Sequence, residues 1–443
     1  MKRKMLSVLL AGLMICSLGG CGGSGEDEGG KKENGSKEDV EVVTWNTARA
    51  DDHAIIKAVT ACLDAYNETA ETPIEIKFEY IPDRPTQEEK LKTEIAAGDM
   101  PTFFDCDPNP YLNQVAKTGQ LVNIGELIDE MGIRDNFIPF TLEYQTVDSG
   151  LYGFPLECNT EFFFYNKEMF QDAQCEEPET FDEFIKVCEK LKEAGYTPYA
   201  ICGADGWPLQ RLFSFLPFRE AGNDFIDQTI RGDESLTSDI GMEALDFVRT
   251  MGGYFQEGWA TMDNSTTQQL FTGGGAAMYY TGSWDFEKMD DVNLPDNMKG
   301  NVGWFPLPQV DGGATKDTDN VSHAGLALCV NKEKCSDNVK NFLKFLFENF
   351  STGEAYGVKA GGFIPSTKQE LSDDASQLYK DGYAQLNAVE TPAKIWDVVQ
   401  DPASKVLYQS ELSGVALGVT TPEDFAKKAD ATVQENKDEY FGE

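Results

Sequence analysis

Histidines and carboxylates are the side chains here that could do catalytic chemistry, and their numbers are very unequal. The 443 residues contain two histidines, His53 and His323, against 76 aspartates and glutamates. A histidine-based zinc site or a Ser-His-Asp triad requires histidine beside specific partners, so two isolated histidines argue against both. Carboxylate pairs such as Asp51 and Asp52 could serve glycoside hydrolysis, but such pairs arise by chance among so many acids. Glycoside hydrolysis therefore stays open as an alternative without being the favoured interpretation.

Two segments partly resemble phosphate-binding or calcium-binding loops, but neither has the residues that such a loop requires. A glycine run at 273–275 precedes a predicted strand, whereas a phosphate-binding loop should open a helix and carry G-x-x-x-x-G-K-[ST], which this sequence lacks. Asp105, Asp107 and Asn109 begin like a calcium loop, but Pro110 occupies the position that requires glycine. The sequence therefore predicts neither a metal site nor a cofactor.

Eight cysteines remain besides Cys16 and Cys21, and none of them belongs to a C-x-x-C pair. Without that spacing, zinc-binding and thioredoxin-like interpretations are weak. Cys62 and Cys188 fall at apolar positions of predicted helices, where a buried cysteine behaves as a small hydrophobic residue. We therefore expect most of these cysteines to be free.

Tryptophans at turn-rich positions give the clearest indication of binding. Five of them stand near strand ends, loops, glycine or proline: Trp45, Trp207, Trp284, Trp304 and Trp396. Sugar rings present flat apolar faces that stack on aromatic rings, while polar side chains bind the hydroxyls around the rim. Core packing explains any single tryptophan equally well, but several together predict a pocket for a carbohydrate.

The chain is strongly acidic, with 37 lysines and arginines and a formal net charge of −39. Nucleic acids and anionic membrane surfaces are bound through positive surface, so this balance argues against both as ligands. The length fits two or three domains.

The N-terminus carries the features of an export signal. Three basic residues, 2–4, precede an apolar run at 5–18 that is too short to span a bilayer. The sequence Leu-Gly-Gly-Cys at 18–21 resembles the lipobox of bacterial lipoproteins, which implies cleavage before Cys21 and diacylation of its sulfur. We therefore predict a signal peptide at 1–20 and a flexible tether at 21–40, whose polar composition has almost nothing to bury.

Strands and helices alternate along the rest of the chain. Residues 40–45 read as a strand, 55–66 have the helical period of apolar residues, and 74–80 alternate as a half-buried strand does. The continuous aromatic run at 162–165 predicts a strand covered on both faces. Such alternation indicates open, mostly parallel sheets, which bind ligands beyond the carboxyl ends of their strands.

Three segments, in order along the chain, resemble one protein family. Residues 93–104 resemble its helix ending in A-G-x-x-P-D before a buried strand, although Thr102 stands where the family usually has aspartate. Residues 151–155 with 164–167 resemble its crossover between lobes, and 270–284 its F-x-x-G-x-A-A-M…G-x-W signature. The chain is thus similar to the extracellular solute-binding proteins of family 1, the maltose-binding-protein-like receptors of carbohydrate ABC importers.

The resemblance implies an α/β, two-lobed fold of the periplasmic-binding-protein-like class II type. Each lobe would be a mostly parallel sheet flanked by helices, and a hinge would leave a ligand cleft between the lobes. We expect residues 41–155 and 303–330 to form the first lobe, and residues 156–302 and 331–443 to form the second.

The resemblance also implies which side chains contact the sugar. Trp284 matches the family's stacking aromatic residue, and Asn159 matches a position that often hydrogen-bonds sugar hydroxyls. Further cleft positions are implied on the first lobe and on the second: Asn46, Asp107, Trp207 and Trp396.

These expectations describe a receptor and not an enzyme. The protein would be lipid-anchored at the extracellular face of the cell membrane, monomeric, and would deliver an oligosaccharide to the permease subunits of an ABC transporter. Three alternatives stay open: an extracellular glycoside hydrolase, an adhesin for immobile glycan, and a receptor of the same fold for a non-sugar solute.

Overall fold

The structure of the chain is a computed structural model that describes residues 40–350, 363–371, 373 and 375–442. The predicted signal peptide at 1–20, Cys21 and all of the predicted tether except Val40 lie outside the described residues. Within the described part of the chain, no helix is both long and apolar enough to cross a membrane.

Strands and helices alternate through most of the chain, as the sequence predicts. The strands are β1 Glu41–Thr47, β2 Ile74–Tyr80, β3 Phe103–Cys106, β4 Thr146–Val147, β5 Gly150–Leu151, β6 Gly153–Pro155, β7 Glu157–Asn166, β8 Tyr199–Ala200, β9 Met278–Gly282, β10 Val302–Phe305, β11 Ser322–His323, β12 Ala327–Val330 and β13 Ile364–Pro365. The helices are α1 Ala54–Asn67, α2 Arg84–Ala96, α3 Pro110–Lys117, α4 Ile124–Met131, α5 Pro139–Tyr144, α6 Lys167–Asp172, α7 Phe181–Glu193, α8 Trp207–Ala221, α9 Asp224–Arg231, α10 Asp239–Met251, α11 Asn264–Thr272, α12 Phe286–Met289, α13 Asp337–Asn349, α14 Gln377–Ala388, α15 Trp396–Val399, α16 Pro402–Ala416 and α17 Pro422–Tyr440.

The fold is two-lobed α/β, and the first lobe is built on a sheet with the strand order β2-β1-β3-β12-β6. β1 pairs in parallel with both β2 and β3, whereas β12 runs antiparallel to β3 and β6. The core on this sheet joins the rings of Trp45, Phe103 and Phe154 to Val339 and Phe342 of α13. Burying these large apolar side chains is the main source of stability for the lobe.

The second lobe is built around β7, whose ten residues are all buried. β7 pairs antiparallel with β9, β10, β11 and β13, and the parallel pair of this lobe joins β8 to β9. The prediction of mostly parallel sheets therefore describes β1 to β3 but not this sheet. The chain enters the lobe along β7 and returns along β10 and β11, so the outgoing and returning segments run in opposite directions.

The lobe boundaries differ from the predicted ones at two segments. β10 and β11 pair with β7, so 302–323 belongs to the second lobe, whereas the sequence predicts 303–330 in the first. α13 contributes to the core on the first sheet, so 337–349 belongs to the first lobe, whereas the sequence predicts 331–443 in the second. The return crossing is thus the short stretch 324–326 between β11 and β12.

Capping residues in the sequence agree with where the helices begin. α7 begins after Thr180, whose Oγ1 accepts a hydrogen bond from the Glu183 N–H at 3.2 Å, as a capping residue should. The Glu183 carboxylate in turn accepts from the Glu179 N–H at 2.9 Å. The prediction of free cysteines is confirmed for the buried set Cys106, Cys158, Cys188, Cys202 and Cys329.

Candidate functional site

A cavity of about 770 Å³ lies between the two lobes, and we call it the first cavity. Residues from 82–92 and 105–111 line its first-lobe side, and residues from 204–207 and 397–409 line its second-lobe side. β3 ends at Cys106, so the cavity opens beyond the carboxyl end of a parallel strand, where sheets of this kind bind ligands.

The first-lobe wall is charged, and the start of α2 provides part of it. Asp83 caps this helix by accepting from the Thr86 N–H at 3.0 Å, and Pro85 stands in its first turn. The cap presents Arg84 to the buried carboxylate of Asp107, with which it forms an ion pair. Burial alone would lower the pKa of Arg84, but Asp107 and Glu88 outweigh it and raise that pKa. The wall therefore carries a fixed cation and a fixed anion side by side.

Beneath this wall, Asp105 organises the loop that follows β1. Its carboxylate is fully buried and accepts from Trp45 Nε1 at 3.0 Å and from Thr47 Oγ1 at 2.6 Å. Arg49 Nη1 lies 2.8 Å from the same carboxylate, and Arg49 Nη2 also contacts Glu157 Oε1 at 3.1 Å. Glu157 begins β7, so this arginine joins the first-lobe loop to the crossing segment.

Asn46, a predicted cleft residue, is turned into the first lobe. Its side chain donates to Glu94 Oε2 at 3.1 Å and accepts from Gln87 Nε2 at 2.8 Å, and the residue is 1% exposed. Gln87 itself lines the first cavity. Asn46 therefore supports a residue of the cavity wall.

Two half-buried tryptophans lie together in the second lobe, Trp207 in the cavity wall and Trp284 packed against it. Trp207 begins α8 after Gly206, whose φ of 73° is a conformation that glycine adopts without strain, and it lines the first cavity. The ring of Trp284 lies 6.1 Å from that of Trp207, at 75° to it. A side chain at Gly282 would place its Cβ 2.2 Å from the Trp284 ring, so glycine leaves the space that this ring occupies.

Asn159 lies beside this turn. It is buried on β7, and its Oδ1 accepts from Ser283 Oγ at 2.8 Å. The structure therefore brings Asn159, Trp284 and Trp207 together in the second lobe, where Trp207 lines the first cavity opposite Asp107.

A buried ionic network backs the tryptophans. Arg211 Nε lies 3.1 Å from both carboxylate oxygens of Glu161, and another guanidinium nitrogen pairs with Asp397. His323 Nε2 lies 3.1 Å from Glu161, and the Arg211 guanidinium lies 5.6 Å from the ring centroid of Trp207. Burial alone would raise the pKa of Glu161, but Arg211 and the hydrogen bond with His323 outweigh it and lower that pKa. The Glu161 carboxylate thus stays ionised beside Arg211, and the cation–π contact of Arg211 helps to hold Trp207 in place.

Trp396 does not line the cleft, in contrast to the prediction. It is 1% exposed and packs against Phe213, with ring centroids 4.8 Å apart, and Tyr408, at 5.9 Å. The next residue, Asp397, lines the first cavity instead. Residue type alone could not distinguish these two neighbours, because the direction of each side chain depends on the short helix that carries them.

Sequence reasoning missed the charged residues of the site. Arg84, Glu161, Arg211 and Asp397 belong to four separate segments, and no local motif joins them. The cap at Asp83 was a usable signal for Arg84, whereas the other three required the fold. No cluster of three or more potential metal-binding side chains occurs among the described residues.

Comparison with known proteins gives consistent matches. The bacterial extracellular solute-binding protein family matches residues 50–349. A multiple sugar-binding protein of Streptococcus mutans is 25% identical over 327 residues, which cover 71% of this chain and 73% of that protein. An uncharacterized ABC transporter extracellular-binding protein of Pyrococcus horikoshii is 23% identical over 440 residues, or 97% of this chain and 95% of that protein.

Solved structures share the fold over almost their whole length. A chitin oligosaccharide binding protein superposes with a TM-score of 0.77 at 25% identity, covering 90% of this chain and 99% of that one. A solute-binding protein in complex with raffinose superposes with a TM-score of 0.66 at 19% identity, covering 89% and 99%. At 19% identity the second match shows the fold alone.

Proposed function

The chain belongs to the bacterial extracellular solute-binding protein family, and from that premise we propose that it captures a neutral oligosaccharide between its lobes. Its partners are then the permease subunits of an ABC importer, to which it delivers the sugar. The observation that carries the proposal is Trp207 at the first cavity, with Trp284 packed against it, opposite a wall that holds Arg84 and Asp107.

The two walls supply what a sugar needs. Indole rings offer flat apolar faces for the C–H side of a pyranose. Ionised groups opposite can donate and accept hydrogen bonds to hydroxyls, and charge-assisted hydrogen bonds are about twice as strong as neutral ones. A sugar held this way uses both lobes at once, which favours their closure around it.

A stabilisation screen tests the proposal. The purified protein is heated with chitin oligosaccharides, xylo-oligosaccharides and raffinose, and in parallel with amino acids and short peptides. A ligand at 100 times its Kd adds about 2.7 kcal/mol to the stability, a readily measured rise in Tm. Stabilisation by a sugar, with the effect lost in Trp207→Ala, is the expected result; stabilisation by a peptide or amino acid alone would assign a non-sugar receptor.

The same incubations address the two remaining alternatives. Family membership describes receptors, and we expect the bound sugar to be recovered intact; shorter products at catalytic protein concentrations would instead assign a glycoside hydrolase. Binding to immobilised glycan without compaction of the protein in X-ray scattering would assign an adhesin.

We also propose that Cys21 carries a lipid that anchors the protein to the extracellular face of the cell membrane. The support is the lipobox-like sequence at 18–21 behind a basic and apolar leader. Cys21→Ser should move the protein from the membrane pellet to the soluble fraction while its Tm stays unchanged, because the anchor precedes every described element. A mutant that stays in the pellet would refute the anchor. Light scattering of the soluble form should give the mass of a monomer.

A further inference from the structure

Arg49 lies on the loop that follows β1, where the chain crosses between the lobes, and its side chain is buried. Its Nη2 donates to Glu157 Oε1 at 3.1 Å and to the Leu326 carbonyl at 3.0 Å. Glu157 begins β7, along which the chain enters the second lobe, and Leu326 ends the return crossing at 324–326. One guanidinium nitrogen therefore bonds to both of these crossings.

The other side of the guanidinium is fixed to the first lobe. Arg49 Nη1 lies 2.8 Å from the buried carboxylate of Asp105 in β3. The same carboxylate accepts from the Ala48 N–H at 3.0 Å, and the Arg49 N–H donates to Thr47 Oγ1 at 3.1 Å. Both the side chain and the backbone of Arg49 are thus tied to the first sheet.

The positive charge of Arg49 separates two buried carboxylates. Burial alone would lower the pKa of Arg49, but Asp105 and Glu157 outweigh it and raise that pKa. Without the cation between them, the two carboxylates would repel each other, and a buried charge without its partner is strongly destabilising. The guanidinium therefore joins the first sheet to the start of β7 by charge as well as by hydrogen bonds.

The return crossing also bonds to each lobe at Gly325. Its carbonyl accepts from Gln145 Nε2 of the first lobe at 2.8 Å, and its N–H donates to His323 Nδ1 of the second lobe at 3.0 Å. A Cβ at Gly325 would lie 2.8 Å from Glu157 Oε1, so the two crossings contact each other here. Any rotation of one lobe against the other therefore changes the geometry around Arg49.

Arg49 lies directly behind the first cavity. Two of its partners, Asp105 and Leu326, line that cavity, whereas Arg49 is not among its lining residues. A sugar in the cavity would therefore touch the partners of Arg49 and not the arginine itself.

We propose that Arg49 is a positioning residue that ties both crossings to the first lobe and so limits the angles that the unliganded lobes sample. The inference rests on the proposed function. Domain closure depends on a few hinge residues, and a hinge that is restricted before binding loses less conformational freedom when the ligand closes it. Arg49 thus strengthens sugar binding without contacting the sugar.

Arg49→Lys tests this role. Lysine keeps the buried positive charge but presents one nitrogen instead of a planar fork, so it cannot keep the contacts of Nη1 and Nη2 together. We expect the Kd of the best sugar, measured by calorimetry, to rise about tenfold, because the binding-competent fraction of a looser hinge is smaller by that factor. We also expect X-ray scattering to give a larger radius of gyration for the unliganded variant than for the unliganded wild type.

Arg219→Lys is the matched control. Arg219 is also a buried arginine, but its acceptors all belong to the second lobe: the carbonyls of Leu307, Pro308 and Lys316 and the hydroxyl of Thr315. Both variants should lower the urea midpoint, because each loses hydrogen bonds of a buried guanidinium. Only Arg49→Lys should change the Kd and the radius of gyration.

Glu157→Gln carries the test if Arg49→Lys does not fold. It leaves the ion pair of Arg49 with Asp105 in place and weakens only the link to the crossing, so both readouts should change in the same direction. 

The outcomes separate the inference from the function. A wild-type radius of gyration in Arg49→Lys, whatever its Kd, would overturn the role of Arg49 at the crossings, as would equal changes in Arg219→Lys. Failure of every sugar to bind would overturn the proposed function, whereas a larger radius in unliganded Arg49→Lys would still support the restraint on the lobes.

Discussion

The two walls of the cleft differ in chemistry. The first-lobe wall presents an ion pair, Arg84 with Asp107, close to the surface of the cavity. The second-lobe wall presents Trp207, with Trp284 packed against it, and Asp397, whose partner Arg211 is buried. The first-lobe wall is thus suited to hydroxyls, and the second-lobe wall adds a ring on which a sugar can stack.

Because the two walls differ in this way, neither wall by itself is a complete sugar-binding site. A sugar on the tryptophans alone leaves its outward hydroxyls in water, and the ion pair alone offers no apolar surface. The lobes also contact each other directly, through Glu88 with Lys405 at 3.0 Å and Asp148 with Arg231 at 3.4 Å. Partly exposed ion pairs contribute only about 0.2–1 kcal/mol each. We therefore expect the ligand to supply most of the free energy that holds the lobes closed.

The largest expected effect comes from breaking the network behind the aromatic wall. Arg211→Met leaves Glu161 and Asp397 as uncompensated buried charges and should cost about 3–5 kcal/mol of the free energy of unfolding. Urea denaturation measures it. The same change at Arg249, which is exposed and paired with Asp246, is the control and should cost about 0.5 kcal/mol. Equal losses in the two variants would mean that the network does not support the wall.

The next prediction separates the cleft tryptophan from the core tryptophan. Trp396→Ala should cost about 3–5 kcal/mol of stability, because it empties a packed site. Trp284→Ala should instead weaken the best sugar by about 2–4 kcal/mol, or about 30- to 1,000-fold in Kd, with a nearly unchanged urea midpoint.

Each of these variants is the control for the other. Urea midpoint and calorimetric Kd are measured on both proteins. A large loss of midpoint in Trp284→Ala with an unchanged Kd would show that this residue packs the second lobe and does not bind the sugar.

A smaller effect is expected from the polar wall. Asp107→Asn keeps the shape of the side chain but removes its charge and its ion pair with Arg84. Affinity for the best sugar should fall by about 1–3 kcal/mol, measured as Kd at constant ionic strength. Asp246→Asn, far from the cleft, should leave the Kd unchanged. If Asp107→Asn binds as the wild type does, the first-lobe wall has no part in recognition.

The smallest effect concerns the contact between the lobes. Lys405→Met removes the pair with Glu88 and should weaken sugar affinity by at most about 1 kcal/mol. Lys427→Met, which removes an exposed pair with Glu423 inside one helix, should not change affinity. A hundredfold loss in Lys405→Met would show that Lys405, which lines the first cavity, does more than pair with Glu88.

Features encoded within a few residues could be predicted from the sequence. The helical period at 55–66 forms α1, the cap at Thr180 begins α7, and glycine at 282 leaves space for the ring of Trp284. The motif order also predicted the family, since each motif is a short run with its own turn or strand. Local backbone preference and apolar period suffice for such features.

Features that depend on contacts between segments far apart in the sequence were determined only by the tertiary structure. Glu161, Arg211, His323 and Asp397 become one network because β7, α8, β11 and α15 converge. Because the chain returns along β7 in the opposite direction, the pairing of β10 with β7 is antiparallel. Segment 302–323 lies in the second lobe and segment 337–349 in the first, the reverse of the predicted assignment. Packing likewise determined that Trp396 lies in the core and that Asp397 lines the first cavity. Sequence fixes what neighbouring residues do to one another, whereas burial and charge pairing across the fold depend on which surfaces the whole chain brings together.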